Sequence, residues 1–287
     1  MRTRRGSSTV ILLAPACLLF ALFVIYPLLR GVALSFYDWN GVDAKVWVGP
    51  GNYRELWADP VFQTALANNL RWLACYAVAP ALGLALAVLL HQRLRGMRVV
   101  RSLFFMPFVL SQVIVGVVFG WFFHSRFGLL NEILGAVGGP HVAPLDSERW
   151  ALYTMIVAGL WPQTAYCMIL YLTGLATVPD ELTDAARVDG AKDPSLLRYV
   201  VIPQLRPVHF VVSMVCAVAA LRSFDYVMIM TLGGPHNSST VLGYYMYEQT
   251  FLSLRYGYGA TIATMLLGLM SCIVFILLWH LFYRERS

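Results

Sequence analysis

Six apolar stretches of about twenty residues each, separated by more polar segments, leave this chain few ways to fold. A bilayer core is crossed by about 20 predominantly apolar residues in a helix. Within lipid, only helices and closed barrels satisfy their own backbone groups. The stretches run over 10–29, 69–90, 102–123, 151–172, 208–231 and 259–283. The fifth is the least uniform, because Arg222 and Asp225 interrupt it. Of the 287 residues, 59% are hydrophobic and 13% charged, whereas a soluble domain carries roughly 25% charged residues. The reading is an all-α membrane protein with six transmembrane helices. The run after Arg2, Arg4 and Arg5 exceeds the h-region of a signal peptide, about 7–15 residues. Phe23, Tyr26 and Pro27 occupy its far end, so it reads as an uncleaved first span.

The net charge of +6 does not point to nucleic acid, because the basic residues fall in clusters between apolar runs and not on one patch. Such clusters orient spans, with Lys and Arg enriched on the cytoplasmic side. With the N-terminus inside, inner segments carry 13 basic residues, including Arg93, Arg95, Arg98, Arg101, Arg187, Lys192, Arg198 and Arg206. Outer segments carry five, and Arg30, Arg71 and Arg222 sit at or within spans. Both termini are therefore expected in the cytoplasm. All five cysteines lie in apolar runs without metal-ligand spacing, so neither a metal site nor a disulfide framework is expected.

The longest inner segment, 173–207, is the most organised polar part of the chain. Asp180 and Glu181 place negative charge where a helix N-terminus favours it. A helix of about two turns can follow through Val188, with Gly190 ending it in a conformation of positive φ. Asp193-Pro194-Ser195 reads as an N-cap followed by proline at the first helical position. Leu196, Leu197, Val200 and Val201 give the second helix an apolar face, and Pro203 is expected to stop or kink it. The bland alternative is a compact inner cap.

The order Asp184-Ala185-Ala186, Asp189-Gly190-Ala191 and Val200-Val201-Ile202-Pro203 resembles the EAA motif of inner-membrane permeases of ATP-driven importers. Asp184 stands where that motif has Glu, and Val200 where it has Ile. Ser35-Phe36-Tyr37-Asp38-Trp39 with Asn52-Tyr53 is similar to the first outer loop of carbohydrate permeases. So is Phe224-Asp225 leading through Thr231-Leu232-Gly233-Gly234-Pro235 to Tyr247 and Phe251. The resemblance implies the type I ABC importer permease fold. Residues 1–63 would be the first span and outer loop, and 64–283 the transmembrane domain with its coupling loop at 180–203. It implies three kinds of partner besides lipid: a second permease in a heterodimer, two ATP-binding cassette ATPases and an external substrate-binding protein. Asp184, Ala185, Ala186, Asp189, Gly190, Ala191 and Pro203 would belong to the element seated on the ATPase.

No G-x-x-x-x-G-K-[ST] phosphate loop, H-E-x-x-H or G-x-S-x-G occurs, so ATP and Mg²⁺ would be bound by another chain and no catalytic residue is assigned. An intramembrane charge is a functional-site hypothesis by default. Arg222 and Asp225 form an i,i+3 pair that either neutralises itself or lines a polar cavity. Asn69, Gln112, Trp161, Gln163 and Tyr166 are further candidates for a substrate path, since aromatic faces stack on sugar rings and amides bond hydroxyls. For each one, interhelical contact is the simpler role. A sugar is the expected cargo; a polyol or glycerol-phosphate ester is the alternative, and an ATP-independent secondary carrier is the reading from a different class.

Overall fold

A computed structural model describes residues 13–92 and 96–284. The basic residues Arg2, Arg4, Arg5, Arg93, Arg95 and Arg286, and the first residues of the expected first span, lie outside the described residues. Among the described residues, five helical segments are long and apolar enough to cross a membrane: Leu13–Leu34, Pro60–Leu90, Ala151–Leu175, Arg206–Met230 and Tyr256–Trp279. The remaining candidate is a pair, Met97–Val109 and Gln112–Phe122, bent by 93°. The stretch expected as one rod over 102–123 is therefore broken. Pro107 sits inside the first half, Leu110 and Ser111 are extended, and Ser111 Oγ accepts from the Ile114 N–H at 3.3 Å to start the second. A serine cap in mid-span gives the backbone the partner that lipid would not supply.

In chain order the elements are α1 (Leu13–Leu34), β1 (Tyr37–Asp38), β2 (Val46–Trp47), α2 (Gly51–Ala58) and α3 (Pro60–Tyr76). Then come α4 (Ala79–Leu90), α5 (Met97–Val109), α6 (Gln112–Phe122), α7 (Leu129–Ala136), α8 (Ala151–Leu175) and α9 (Asp180–Val188). The chain ends with α10 (Asp193–Leu196), α11 (Arg206–Leu221), α12 (Phe224–Met230), α13 (Leu242–Tyr247) and α14 (Tyr256–Arg284). It divides into two units, one comprising the chain up to Phe62 with Tyr245–Gly268, the other Gln63–Tyr244 with the chain from Leu269.

In the first unit, α1 runs into an antiparallel hairpin that pairs Tyr37 with Trp47 and Asp38 with Val46. Asn52, buried, donates from Nδ2 to the carbonyls of Ser35 and Tyr37, both at 2.9 Å. Tyr53 and Ser35 share a hydroxyl hydrogen bond of 2.7 Å, and Thr261 donates to the Ser35 carbonyl at 3.1 Å. Asp59 accepts from the hydroxyls of Tyr245 and Tyr258 and from the Val61 N–H. Burial works to raise its pKa, but these hydrogen bonds together outweigh it and hold the carboxyl below its usual range. The stability gained is present above the ordinary carboxylate pKa and fades only as pH falls through the lowered value.

In the second unit, α4, α8 and α11 pack around Ala79, Ala87, Cys167, Met168, Tyr171, Leu205, Val212 and Cys216. Small residues set the spacing, as expected where helices associate by close packing. A side-chain carbon on Gly83 of α4 would lie 2.9 Å from backbone atoms of Cys167 and Met168. A side-chain carbon on Gly159 of α8 would run into the Tyr76 hydroxyl and lie 3.2 Å from the rings of Trp72 and Tyr226, which stack with centroids 5.8 Å apart. Gly159→Val is expected to overpack this junction by about 1–3 kcal/mol. A lower thermal midpoint of the detergent-solubilised protein checks this; Gly268→Ala, where a new carbon meets nothing within 4 Å, should leave the midpoint unchanged or raise it.

Candidate functional site

The inner polar segment folds as two short helices joined at a glycine. Asp180 and Glu181 occupy the first turn of α9, as the macrodipole favours. Its end is closed by hydrogen bonds from Gly190 N–H to the Arg187 carbonyl (3.0 Å) and from Ala191 N–H to the Ala186 carbonyl (2.9 Å). Gly190 takes φ +86°, which completes a Schellman cap. Ala186, Asp189, Gly190 and Ala191 are thus the residues that build the turn, and Asp189 N–H bonds the Ala185 carbonyl at 3.0 Å. Asp184 lies 3.8 Å from Arg187, both exposed, a surface pair that contributes little to stability. Its carboxylate stays available on the outer face of α9.

Two details of the second helix differ from the sequence reading. Lys192, not Asp193, takes the cap position, because Pro194 fits equally well at the second helical residue, where no donor is needed. Pro203 does not stop the helix. A π-turn over Leu197–Val201 widens the path, Pro203 is accommodated in Ile202–Gln204, and the joint falls at Leu205 (φ −82°, ψ 7°). A wider turn changes which carbonyl needs a donor, so the missing proline N–H no longer breaks the run. Leu205 is 1% exposed, and the methyl it sends toward Gly174 anchors the loop on α8.

The expected path residues separate into two groups. Asn69 is fully buried: its Oδ1 accepts the Leu242 N–H at 2.8 Å, and its Nδ2 reaches the Leu221 carbonyl at 3.5 Å. Neighbouring Asn68 donates to the carbonyls of Ser238 and Thr240, each at 2.8 Å, and accepts from Arg71 at 2.6 Å. The two amides clasp the 238–242 segment to α3. Gln163 is buried and donates to the Cys216 thiol at 3.3 Å; the Cys167 and Cys216 sulfurs are also 3.3 Å apart. Tyr166 stacks on Phe108 at 4.4 Å between centroids. These side chains face protein partners within the bundle.

The second group lies at the helix breaks. Arg222 (φ −97°, ψ 30°) and Ser223 (φ −77°, ψ 19°) separate α11 from α12. Arg222 is exposed and Asp225 is half-buried in the first turn of α12. The break changes the helical register between them, and no ion pair joins them among the described residues. Gln112 is exposed at the 93° bend as the first residue of α6. Trp161, 43% exposed, meets Phe119 of α6 edge-on. Ser223 Oγ and Trp72 Nε1 are buried beside these elements without a hydrogen-bond partner among the described residues. Sequence reasoning did not single out Ser111, Ser223 or Leu205, which make the two breaks and the loop joint. A serine next to a polar residue within an apolar run was the available signal for the first two.

Residues 79–286 match the family described as binding-protein-dependent transport system inner membrane component. A "probable ABC transporter permease protein" of Pyrococcus horikoshii is 34% identical over 96% of this chain and 97% of its own length. The lactose transport system permease protein of Rhizobium radiobacter is 32% identical, covering 96% of this chain and 92% of that one. Among solved structures, a bacterial ABC transporter that imports the acidic polysaccharide alginate contains a chain with TM-score 0.85 and 20% identity, covering 99% of this chain and 98% of its own. Asn69→Ala strands the buried Leu242 N–H and should cost about 1–3 kcal/mol, read as a lower thermal midpoint and faster proteolysis within 232–242.

Proposed function

We propose that this chain, which belongs to the family of binding-protein-dependent transport system inner membrane components, is one of two permeases that together form a sugar path through the cytoplasmic membrane. It is a multi-pass membrane protein and a transport component, not an enzyme. Its similarity to a lactose permease supports a sugar cargo over a polyol or glycerol-phosphate ester. Two ATP-binding cassette subunits, with ATP and Mg²⁺ bound on them, drive the cycle from the cytoplasmic side, and an external binding protein delivers the sugar. In this reading both termini are cytoplasmic, 1–63 supplies the first span and outer loop, and 64–283 is the transport domain.

The observation that carries the coupling role is the capped helix–glycine–helix at 180–203. A Schellman cap on one side and the Leu205 anchor on the other make the loop a stiff unit. A stiff element passes on a rigid-body displacement where a loose loop would absorb it. Asp184, Ala185, Ala186, Asp189, Gly190, Ala191 and Pro203 act together: the first carries an exposed charge to the ATPase, the next five fix the angle between the helices, and Pro203 sits at the far end of the element, next to the Leu205 joint. For the substrate path, the broken helices favour Arg222, Asp225, Gln112 and Trp161 as the groups nearest the cargo. Asn69, Gln163 and Tyr166 act behind them by holding the breaks in place.

Co-purification with the products of neighbouring genes, followed by ATPase assays with candidate sugar-loaded binding proteins, tests this function. Stimulation by one loaded binding protein supports it and names the sugar, whereas an inserted chain with no associated ATPase contradicts it. Gly190→Val should abolish uptake while leaving membrane insertion intact. The position is open, but its φ of +86° is strained for a β-branched residue. Normal uptake by that variant would remove the coupling role. Arg222→Ala should lower uptake or change the substrate range; the same rate with the same range would remove Arg222 from the path.

A further inference from the structure

The first span is largely exposed among the described residues: no residue of the apolar window in Leu13–Leu34 is buried, and only Gly31, Val32 and Leu34 at its far end are half-buried. Near its far end this surface carries an exposed arginine, Arg30, whose guanidinium carbon lies 5.8 Å from the centroid of the Tyr26 ring one turn below. From the adjoining hairpin, Lys45 brings its ammonium to 4.3 Å from the centre of the Trp39 ring. The two cations line one cavity of about 350 Å³ with Tyr37, Gly31, Ala33 and Leu34. Neither pairs with a carboxylate among the described residues. Asp43, the acidic residue nearest Lys45 in sequence, is engaged by the Asn40 amide at 2.7 Å.

An arginine on the lipid face of a span is costly unless it reaches the interface or meets an anion. Arg30 sits about one turn from the end of the span, where the aromatic side chains Tyr26, Tyr37, Trp39 and Trp47 gather. Tyrosine and tryptophan mark headgroup depth, and the abundant anion at that depth is a lipid phosphate. A guanidinium fork binds phosphate in bidentate fashion, and an ammonium adds a point charge from a second side. Room exists for a headgroup, since a side-chain carbon at Gly31 would meet nothing within 4 Å. Below Arg30, through the π-turn at Ala21–Ile25, Tyr26, Phe23 and Leu19 give an exposed apolar stripe (56%, 70% and 54%) along which an acyl chain can lie.

We propose that Arg30 and Lys45, with Tyr37 and the Gly31–Ala33 gap, bind the phosphate of an anionic phospholipid whose acyl chain lies along the Leu19–Phe23–Tyr26 stripe. The second cation, unneeded for a zwitterionic headgroup, selects net negative charge. This site is independent of the importer reading, because its readout is bound lipid and not uptake.

The test uses the full chain, purified in mild detergent with its co-expressed partners and titrated with phosphatidylglycerol or phosphatidylcholine. Native mass spectrometry counts the lipid bound. Phosphatidylglycerol should be retained over phosphatidylcholine, and the R30Q/K45Q double variant should lose that preference by roughly 30-fold. The R30K/K45R variant should keep most of it. Equal retention of both lipids by the unaltered chain overturns the proposal, as does an unchanged preference in the double variant. Displacement of phosphatidylglycerol by millimolar inorganic phosphate would make this a free-anion site instead, and a carbodiimide cross-link from Lys45 to another subunit would make it a protein contact. Should the double variant fail to assemble, K45Q alone is expected to lose about fivefold, and an undiminished preference there counts against the site.

Discussion

Every backbone polar group within a membrane must find its partner in the protein, and this requirement governs where the chain is allowed to bend. Two of its spans are broken, and each break is satisfied locally. At the 93° bend, Ser111 caps the start of α6. At the Arg222–Ser223 break, the Leu221 carbonyl is approached by the Asn69 amide, whose oxygen holds the Leu242 N–H. Without those side chains the bends would expose unpaired groups to lipid, and straight helices would be the lower-energy form. The irregular parts of the spans are therefore held from α3 and from their own caps.

Seen with the inner loop, the same chain combines stiff and jointed sections. The Schellman cap at Gly190, the π-turn through Val201 and the buried Leu205 make the segment before α11 resist deformation. Beyond it, α11 runs unbroken to Leu221 before the joint. The segment at 180–203 thus leads through Leu205 directly into α11, whose far end is the Arg222–Ser223 break. Gly83, Gly159 and Gly174 let neighbouring helices approach closely.

Much of this was legible in the residues. Apolar runs located most span ends to within about five residues, since the bilayer imposes their length; the second span starts earlier than expected, at Pro60 and not at 69, because its polar outer turns stay helical. Gly190 and its surroundings announced a helix end, because positive φ and a following cap are local matters. What could not be read were the bends and the partners of the buried amides. Pro107 and Ser111 were visible, but whether a proline kinks or is absorbed depends on packing, as Pro203 shows by being accommodated just after a widened turn. Asn69 and Gln163 looked equally suited to line a cavity. That one clasps a distant segment and the other faces two thiols is decided by contacts far apart in sequence, to which no local pattern points.

The asparagine clasp also bears on how the protein is made. Asn68 and Asn69 precede the groups they bind by 152 to 173 residues. At a synthesis rate of roughly 5–20 residues per second, two amides on a span already in the bilayer wait on the order of ten to thirty seconds for those groups. During that interval they need surrogate hosts, whether water at the translocation channel, lipid headgroups or an assisting chaperone. The last third of the polypeptide is thus what completes the second span, and a ribosome stalled before residue 242 would release a chain whose α3 still carries exposed, unmatched amides.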